Sequence, residues 1–337
     1  MSTSTFKAVI LAGGSGERFW PLSTPERPKQ FLRVFGGASL IRQAVSRLDG
    51  LVSSKDVFVV TAKNLVAATR KELPEVPKCN ILGEPMRRDT GAALALGVGL
   101  AAGSAADPVI GFFSSDQMVA NPKAFRKVVS KAVAIARRKQ VIVTLGIKPT
   151  YPATCFGYIS PKTRTFVEKP DAKTAKKYVK AGYLWNAGMF IARASTFRGA
   201  FAAHAPELEC LTSSTRRRQG FGGQAKHLFA LYSKLPKISF DYAVMEKSKN
   251  VEVVPGDFGW DDVGSFAAFD KYFPHDSRGN VREGPCTVVE ADGNICVARS
   301  ARISLLGVKN LVVVTTPDSV LVADKSRLTD MKKLFKK

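Results

Sequence analysis

The stretch LAGGSGERFWPLSTPERPKQF, Leu11 to Phe31, gathers groups suited to holding phosphate. Gly13, Gly14 and Gly16 admit backbone conformations closed to other residues and let amide N–H groups approach an anion. Arg18 and Lys29 bring permanent positive charge, whereas Arg27 reads as a solvated loop charge. A βα turn whose glycines serve packing alone is the plainer reading, and the added cations weigh against it. No Gly-Lys-Ser/Thr occurs, so this is not a Walker loop, and Phe19 breaks the dinucleotide pattern Gly-x-Gly-x-x-Gly.

Few other chemistries have the residues they need. The three histidines lie far apart, and the five cysteines (Cys79, Cys155, Cys210, Cys286, Cys296) are odd in number, with no Cys-x-x-Cys spacing. A zinc site and a Ser-His or Cys-His nucleophile are therefore not expected, and a reducing, cytoplasmic setting is. The net charge of +23 reads plainly as a soluble basic surface, or more sharply as a sign of a polyanionic partner. That charge is spread along the chain, with short knots at 137–139 and 216–218 and no Arg/Gly tail or zinc finger. A nucleotide is thus favoured over specific nucleic acid.

The elements that must position these residues alternate. KAVILA, DVFVVTA, CNILGE, DPVIGFFSSD and QVIVTLGI read as short buried strands. Between them SLIRQAVSRL, NLVAATRKEL, TGAALALGVGLAAGSA and NPKAFRKVVSKAVAIARRK have helical spacing, with Ser39, Asn64 and Asn121 as caps. This pattern predicts an α/β fold, a doubly wound and mostly parallel sheet with helices on both faces. Ligands bind beyond the carboxyl ends of such strands. Gly13-Gly14, Glu84, Asp116 and Gly146 mark those ends and are expected on one edge.

From Ser277 onward, short β-branched runs separated by Gly, Asn, Asp and Pro replace the alternation, until SRLTDMKKLF reads as a helix. The expected division is a catalytic domain over 1–276 and a small all-β appendage over 277–337. The appendage suits a short β-helix but shows no clean hexapeptide repeat. RRRQGFGGQ, 216–224, reads as an exposed loop. No apolar run has the length of a membrane span, MSTSTFKAV lacks the pattern of a secretory signal, and KKLFKK is basic but carries no lipidation motif.

LAGGSGERFWPLS followed by RPKQFL resembles the sugar nucleotidyltransferases, and within them the mannose-1-phosphate guanylyltransferases. EPMRRDTGAA, SSDQ, FVEKP, WNAGMFI, FDYAVMEKS, GWDDVGSF and LGVKNLVVVTTPDSVLV continue the resemblance, in order, over essentially the whole chain. It implies a Rossmann-like catalytic domain and a reaction of GTP with mannose 1-phosphate that yields GDP-mannose and diphosphate. A phosphate oxygen of the sugar attacks the α-phosphorus in line. That oxygen is ionised near neutral pH, so the protein must supply positioning and charge screening rather than a base.

The resemblance also implies roles. Asp116 and Asp262 would hold Mg²⁺, with Asp261 the neighbouring alternative; outside the family pattern, Asp116 reads as a helix cap. Arg18 and Lys29 would bind the β- and γ-phosphates. Ala12, Gly13, Gly14 and Gly16 would seat the nucleotide, with Glu84, Arg88 and Thr90 toward guanine. Lys169 would clamp the sugar's phosphate and Glu168 its hydroxyls. Asn186 and Gly188 resemble a sugar-binding turn, Gly157 lines the same pocket, and Asp241 and Glu246 sit on a helix there; Glu246 and Lys247 also read as a plain surface face. Two positions depart from the pattern: Asp89 replaces Asn, and Cys155 replaces Gly. They leave the exact base and sugar open. A regulatory relative without activity is disfavoured, because all four charged residues are present. The β appendage makes a homodimer the implied assembly, and no membrane is involved.

Overall fold

The computed structural model describes residues 5–14, 16–103, 107–214 and 221–335. They form two compact units.

The first unit comprises Met1–Gly13, Arg42–Ser115 and Val119–Trp260. Its sheet uses β1 (Phe6–Ala12), β2 (Val57–Ala62), β3 (Ile81–Glu84), β4 (Val109–Ser114), β5 (Ile142–Ile147), β6 (Tyr158–Ile159), β7 (Phe166–Val167), β8 (Leu184–Arg193) and β9 (Val251–Gly256). The order is β9-β5-β8-β4-β1-β2-β3, with the β6–β7 hairpin attached to β8. β1 to β4 run parallel to one another, and β5 runs parallel to β9. β8 alone enters the middle antiparallel, against both β4 and β5.

Adjacent residues on β4 show why helices cover both faces. Phe112 points to one side and meets Phe197 of the helix Ala194–His204 edge-on at 5.2 Å. Phe113 points to the other and meets Phe125 of the helix Pro122–Arg138 at 6.0 Å. Side chains alternate along a strand, so an apolar pair at consecutive positions must be buried from both faces. The helix Asp89–Ala102 packs close to the sheet, since a Cβ on Gly97 would lie 2.6 Å from the Phe112 ring. Asn121 caps the helix Pro122–Arg138 by accepting from Ala124 N–H.

Three expectations are corrected. Asn64 is not a cap; Lys63–Leu65 form a 3₁₀ turn that runs into the helix Val66–Glu72. WNAGMFI is not a turn but the middle of β8, where five apolar side chains are buried. A register shift between Thr144 and Gly146, with Gly188 at φ +66°, makes it a bulged strand. In 216–224, residues 216–220 lie outside the described residues, and Phe221 opens a helix to Lys234.

The second unit comprises Gly14–Ile41, Asp116–Met118 and Asp261–Lys337. Its strands are β10 (Val281–Glu283), β11 (Cys286–Val289), β12 (Ile295–Ala298), β13 (Ile303–Leu306), β14 (Leu311–Thr315) and β15 (Val320–Asp324). β10, β12 and β14 stack in parallel, as do β11 and β13, while β15 closes antiparallel on β14. Val281 pairs with Ile295 and Ile295 with Val312, so successive coils advance by fourteen and then seventeen residues. Unequal coils are why no hexapeptide period is visible. Buried Asn280 and Asn294 stitch the coils: Asn294 donates to Asn280 Oδ1 at 2.9 Å and accepts from Leu311 N–H at 2.9 Å. The described residues close with a 3₁₀ helix, Lys325–Phe335.

One core holds this unit together. Phe19, Leu32, Phe35 and Leu40 pack with Val263, Phe266 and Phe269, and with Val281, Ile295, Val312, Leu328 and Met331. Phe35 makes edge contacts with Phe269, Tyr272 and Phe273 at 5.5–6.0 Å. Each such phenyl ring contributes about 2 kcal/mol by burial. The segment carrying the glycine-rich loop is therefore fixed by strands from the far end of the chain. No helix among the described residues is long and apolar enough to cross a membrane.

Candidate active site

The second unit contains a cleft of about 200 Å³ whose walls are charged. Gly14, Gly16, Arg18, Lys29, Asp116 and Asp262 line it, together with Glu17, Gly264 and Lys332. Gly16 stands at φ +65°, and a Cβ there would lie 2.5 Å from Lys29 N. Only glycine lets the loop close onto the short helix Lys29–Phe31. Ser23 Oγ pins the turn by donating to Gly16 O at 2.6 Å.

Lys29 is the hub. Its side chain is 8% exposed, and its ammonium lies 5.9 Å from the centre of the buried Phe19 ring. It donates to Asp116 Oδ2 at 3.1 Å and to the Asp262 carbonyl at 2.7 Å. Desolvation pushes the Asp262 carboxyl above the usual range; Lys29 opposes the rise, and the charge of Asp116 adds to it. Two hard carboxylates in one cleft, one of them held up partly by the other's charge, suit a divalent cation. Among the described residues no third His, Cys, Asp or Glu joins them to form a closed metal cage.

Asp261 and Asp262 divide their work. Asp261 Oδ1 accepts from Val263 N–H at 2.7 Å, and its Oδ2 pairs with Lys271 at 2.6 Å. Asp262 is the one that lines the cleft. Val263 stands at φ +47°, a strained conformation for a β-branched residue, and its side chain is wholly buried. The loop bond and the buried side chain hold this strain, and Asp262 lies between them.

In the first unit a cavity of about 520 Å³ is lined by Gly13, Lys63, Asn64, Glu84, Met86 and Arg87, among others. The end of β1 brings Gly13 beside the end of β3, and a Cβ on Gly13 would lie 3.5 Å from Glu84 Oε2. Glu84 Oε1 accepts from the Tyr232 hydroxyl at 3.1 Å. Burial pushes the Glu84 carboxyl up to about 7, against the hydrogen bond from Tyr232, with Asp89 adding to the rise. Arg88 and Thr90 are not brought to this cavity. Arg88 donates to the carbonyls of Tyr232 and Ser233 at the end of the helix Phe221–Lys234, and Thr90 Oγ1 accepts from Phe240 N–H. They satisfy helix ends that would otherwise be left open. Asp89 accepts from Thr90 N–H. Ala12 ends β1, and its carbonyl accepts from Thr61 Oγ1.

The same unit gathers the six sugar-side candidates. Asn186 Nδ2 donates to Asp241 Oδ1 at 2.9 Å, while its Oδ1 accepts from Thr144 Oγ1 and from Gly188 N–H. Asn186 N–H donates to Gly157 O at 2.8 Å. A Cβ on Gly157 would overlap Glu168 Oε2 and lie 2.9 Å from the Phe166 ring, so a larger residue would have to displace the Glu168 carboxylate. Glu168 pairs with Lys169 at 2.8 Å, and Lys169 stands at φ +46°. Burial opposes the Lys169 charge, but the bond and charge of Glu168 outweigh it and raise the ammonium's pKa. Glu246 is more than a surface acid, since it accepts from Glu168 N–H at 2.8 Å. Asp241 begins a π-helical turn, Asp241–Met245. Desolvation and the neighbouring Glu168 push its carboxyl up. Gly146 is the next-to-last residue of β5, beside Asn186.

The sequence reading passed over Thr144, Lys63, Arg87, the strain at Val263 and Lys332. Lys332 was visible in SRLTDMKKLF, where Leu328, Met331 and Phe335 repeat with helical spacing.

Comparison with known proteins agrees with this architecture. The nucleotidyl transferase family model matches residues 7–278, and the MannoseP isomerase/GMP-like beta-helix domain model matches residues 284–337. Mannose-1-phosphate guanylyltransferase of Escherichia coli K12 is 34% identical over 357 residues, covering 99% of this chain and 73% of the relative. Xanthan biosynthesis protein XanB of Xanthomonas campestris pv. campestris is 35% identical over 340 residues, covering 97% and 72%. The crystal structure of mannose-1-phosphate geranyltransferase from Thermus thermophilus superposes with a TM-score of 0.87 at 33% identity, over 98% of both chains.

Proposed function

The chain belongs to the nucleotidyl transferase family, and we propose that it joins GTP and α-D-mannose 1-phosphate, releasing GDP-mannose and diphosphate. The observation that carries the reading is the cleft in which Arg18, Lys29, Asp116 and Asp262 meet. A sugar-phosphate oxygen attacks the α-phosphorus of GTP. The new P–O bond forms as the bond to the β-phosphate's bridging oxygen breaks, and diphosphate leaves with that electron pair. No proton has to move at the reacting oxygen, which fits a cleft without histidine.

Arg18 and Lys29 hold the β- and γ-phosphates and stabilise the charge that builds on them. Asp116 and Asp262 are the residues that would hold a divalent cation, which we take to be Mg²⁺. When bound, it supplies charge screening and oxygen positioning for the phosphates. In the base cavity, Glu84 Oε2 accepts from guanine N1–H or N2–H, and Lys63 or Arg87 donates to O6. Gly13 gives the base close access. Lys169 takes the sugar's phosphate, and Asn186, Glu168 and Asp241 take its hydroxyls. Free thiols at all five cysteines support a cytoplasmic setting. A homodimer through the β-helical strands is part of the same reading, and specific nucleic acid is not.

The test is an assay of GTP with mannose 1-phosphate, first with Mg²⁺ and then with EDTA. The pair should give the highest kcat/KM in a panel of nucleotides and sugar phosphates, and EDTA should abolish turnover. A preference for UTP or dTTP with glucose 1-phosphate would refute the assignment.

A further inference from the structure

Lys332 lines the charged cleft, yet none of the roles assigned above uses it. Three contacts fix its place. Lys325 anchors the start of its helix by donating to Asp270 at 3.0 Å and to Gly293 O at 2.9 Å. Leu328 and Met331 are buried in the core that also holds Phe19. Phe335 packs edge-on against Trp20 at 5.9 Å. Met331 faces the core, and the next residue, Lys332, is exposed at the cleft wall. Arg327 and Lys333 both pair with Asp330, whereas Lys332 has no hydrogen-bond or ion-pair partner among the described residues.

The charge balance of the cleft gives this lysine a purpose. Lys29 already donates to Asp116 and to the Asp262 carbonyl, which leaves it one free donor. Arg18 would otherwise be the main counter-charge for a group that leaves with several negative charges. An ammonium held at the cleft without a partner supplies that charge with no bond to break first.

We propose that Lys332 binds the departing diphosphate, so that the C-terminal helix completes the leaving-group site. The inference rests on the nucleotidyl-transfer reading and extends it. Lys332→Met keeps the apolar stem and removes the charge, and Lys332→Arg keeps the charge. In the reverse reaction, Lys332→Met should raise the KM for diphosphate about tenfold, with the KM for GDP-mannose within about twofold of wild type. Forward kcat/KM for GTP should fall by a similar factor, and Lys332→Arg should recover most of both. Calorimetric binding of magnesium diphosphate to the wild type and to Lys332→Met provides a readout that needs no turnover. An unchanged diphosphate affinity overturns the proposal. Weakened binding beside a wild type inactive on GTP and mannose 1-phosphate would keep this site and reject the assigned reaction.

Discussion

Asp261 and Val263 hold one another: the Val263 N–H donates to Asp261 Oδ1 at 2.7 Å, while Val263 stands at φ +47°. The strain costs on the order of 1–3 kcal/mol and persists because the bond and the buried side chain over-determine it. Asp262, between them, is aimed by its neighbours. Asp261→Ala should lower kcat by up to about 10²-fold through misplacement of Asp262. Asp261→Asn, which retains the acceptor, should recover most of that loss. The check is kcat measured against Mg²⁺ concentration for both variants; equal losses would remove the positioning role.

Lys29 and Asp116 act as a pair at the floor of the cleft. Lys29→Ala and Asp116→Asn should each cut turnover by about 10²–10³-fold. Asp116→Asn preserves volume, so its far-ultraviolet dichroism and melting should stay close to wild type. Near-normal turnover in both variants would sink the phosphate and metal assignments together.

Glu84 makes stability depend on pH. Its folded pKa of about 7 lies above the ordinary 4.5, so between those values the folded protein binds more protons than the unfolded chain. Stability conferred by the neutral carboxyl is complete below about pH 4.5 and is lost as pH rises to 7, by about 3 kcal/mol in all. Urea unfolding of wild type and Glu84→Gln across this window should show the variant gaining by that amount as pH rises. If the ionised form also reads guanine, the KM for GTP should fall as pH passes 7. Parallel stability profiles for the two proteins would contradict the first expectation.

Gly157→Ala should act on one substrate only. The added methyl displaces the Glu168 carboxylate, which is paired with Lys169. We expect the KM for mannose 1-phosphate to rise about tenfold, with the KM for GTP nearly unchanged. An equal rise in both would mean that the substitution disturbs the fold rather than the sugar side.

Much of this was legible in the chain. Short apolar runs such as VIGFF, bounded by Pro108 and Ser114, read as strands buried on both faces, and the Asn121-Pro122 cap starts its helix where the signal stands. The glycines, Arg18 and Lys29 pointed to an anion cradle by type, whereas Asp116 and Asp262 joined it only through the family resemblance; the structure places all of these except Gly13 on one cleft. What stayed hidden depended on partners far away in sequence. Arg88 and Thr90 have the chemistry of base readers, but tertiary contacts with 232–240 claim their donors and acceptors. WNAGMF reads as a turn because Asn and Gly favour turns, yet its alternate apolar residues find a place between β4 and β5. Asp261 and Asp262 are chemically identical, and only their partners tell them apart: Asp261 holds Val263 N–H and Lys271, while Asp262 lines the cleft.

The core that seats the glycine-rich loop is assembled from Phe19 and Leu32 near the start of the chain and from residues 263–331 near its end. A ribosome delivers these hundreds of residues apart. The glycine-rich loop therefore emerges early and waits, without the side chains that give it shape, until residues 263–331 have been made. Nascent chains that have passed the last strand of the first sheet, Val251–Gly256, but not Met331 are expected to be unable to grip nucleotide phosphates.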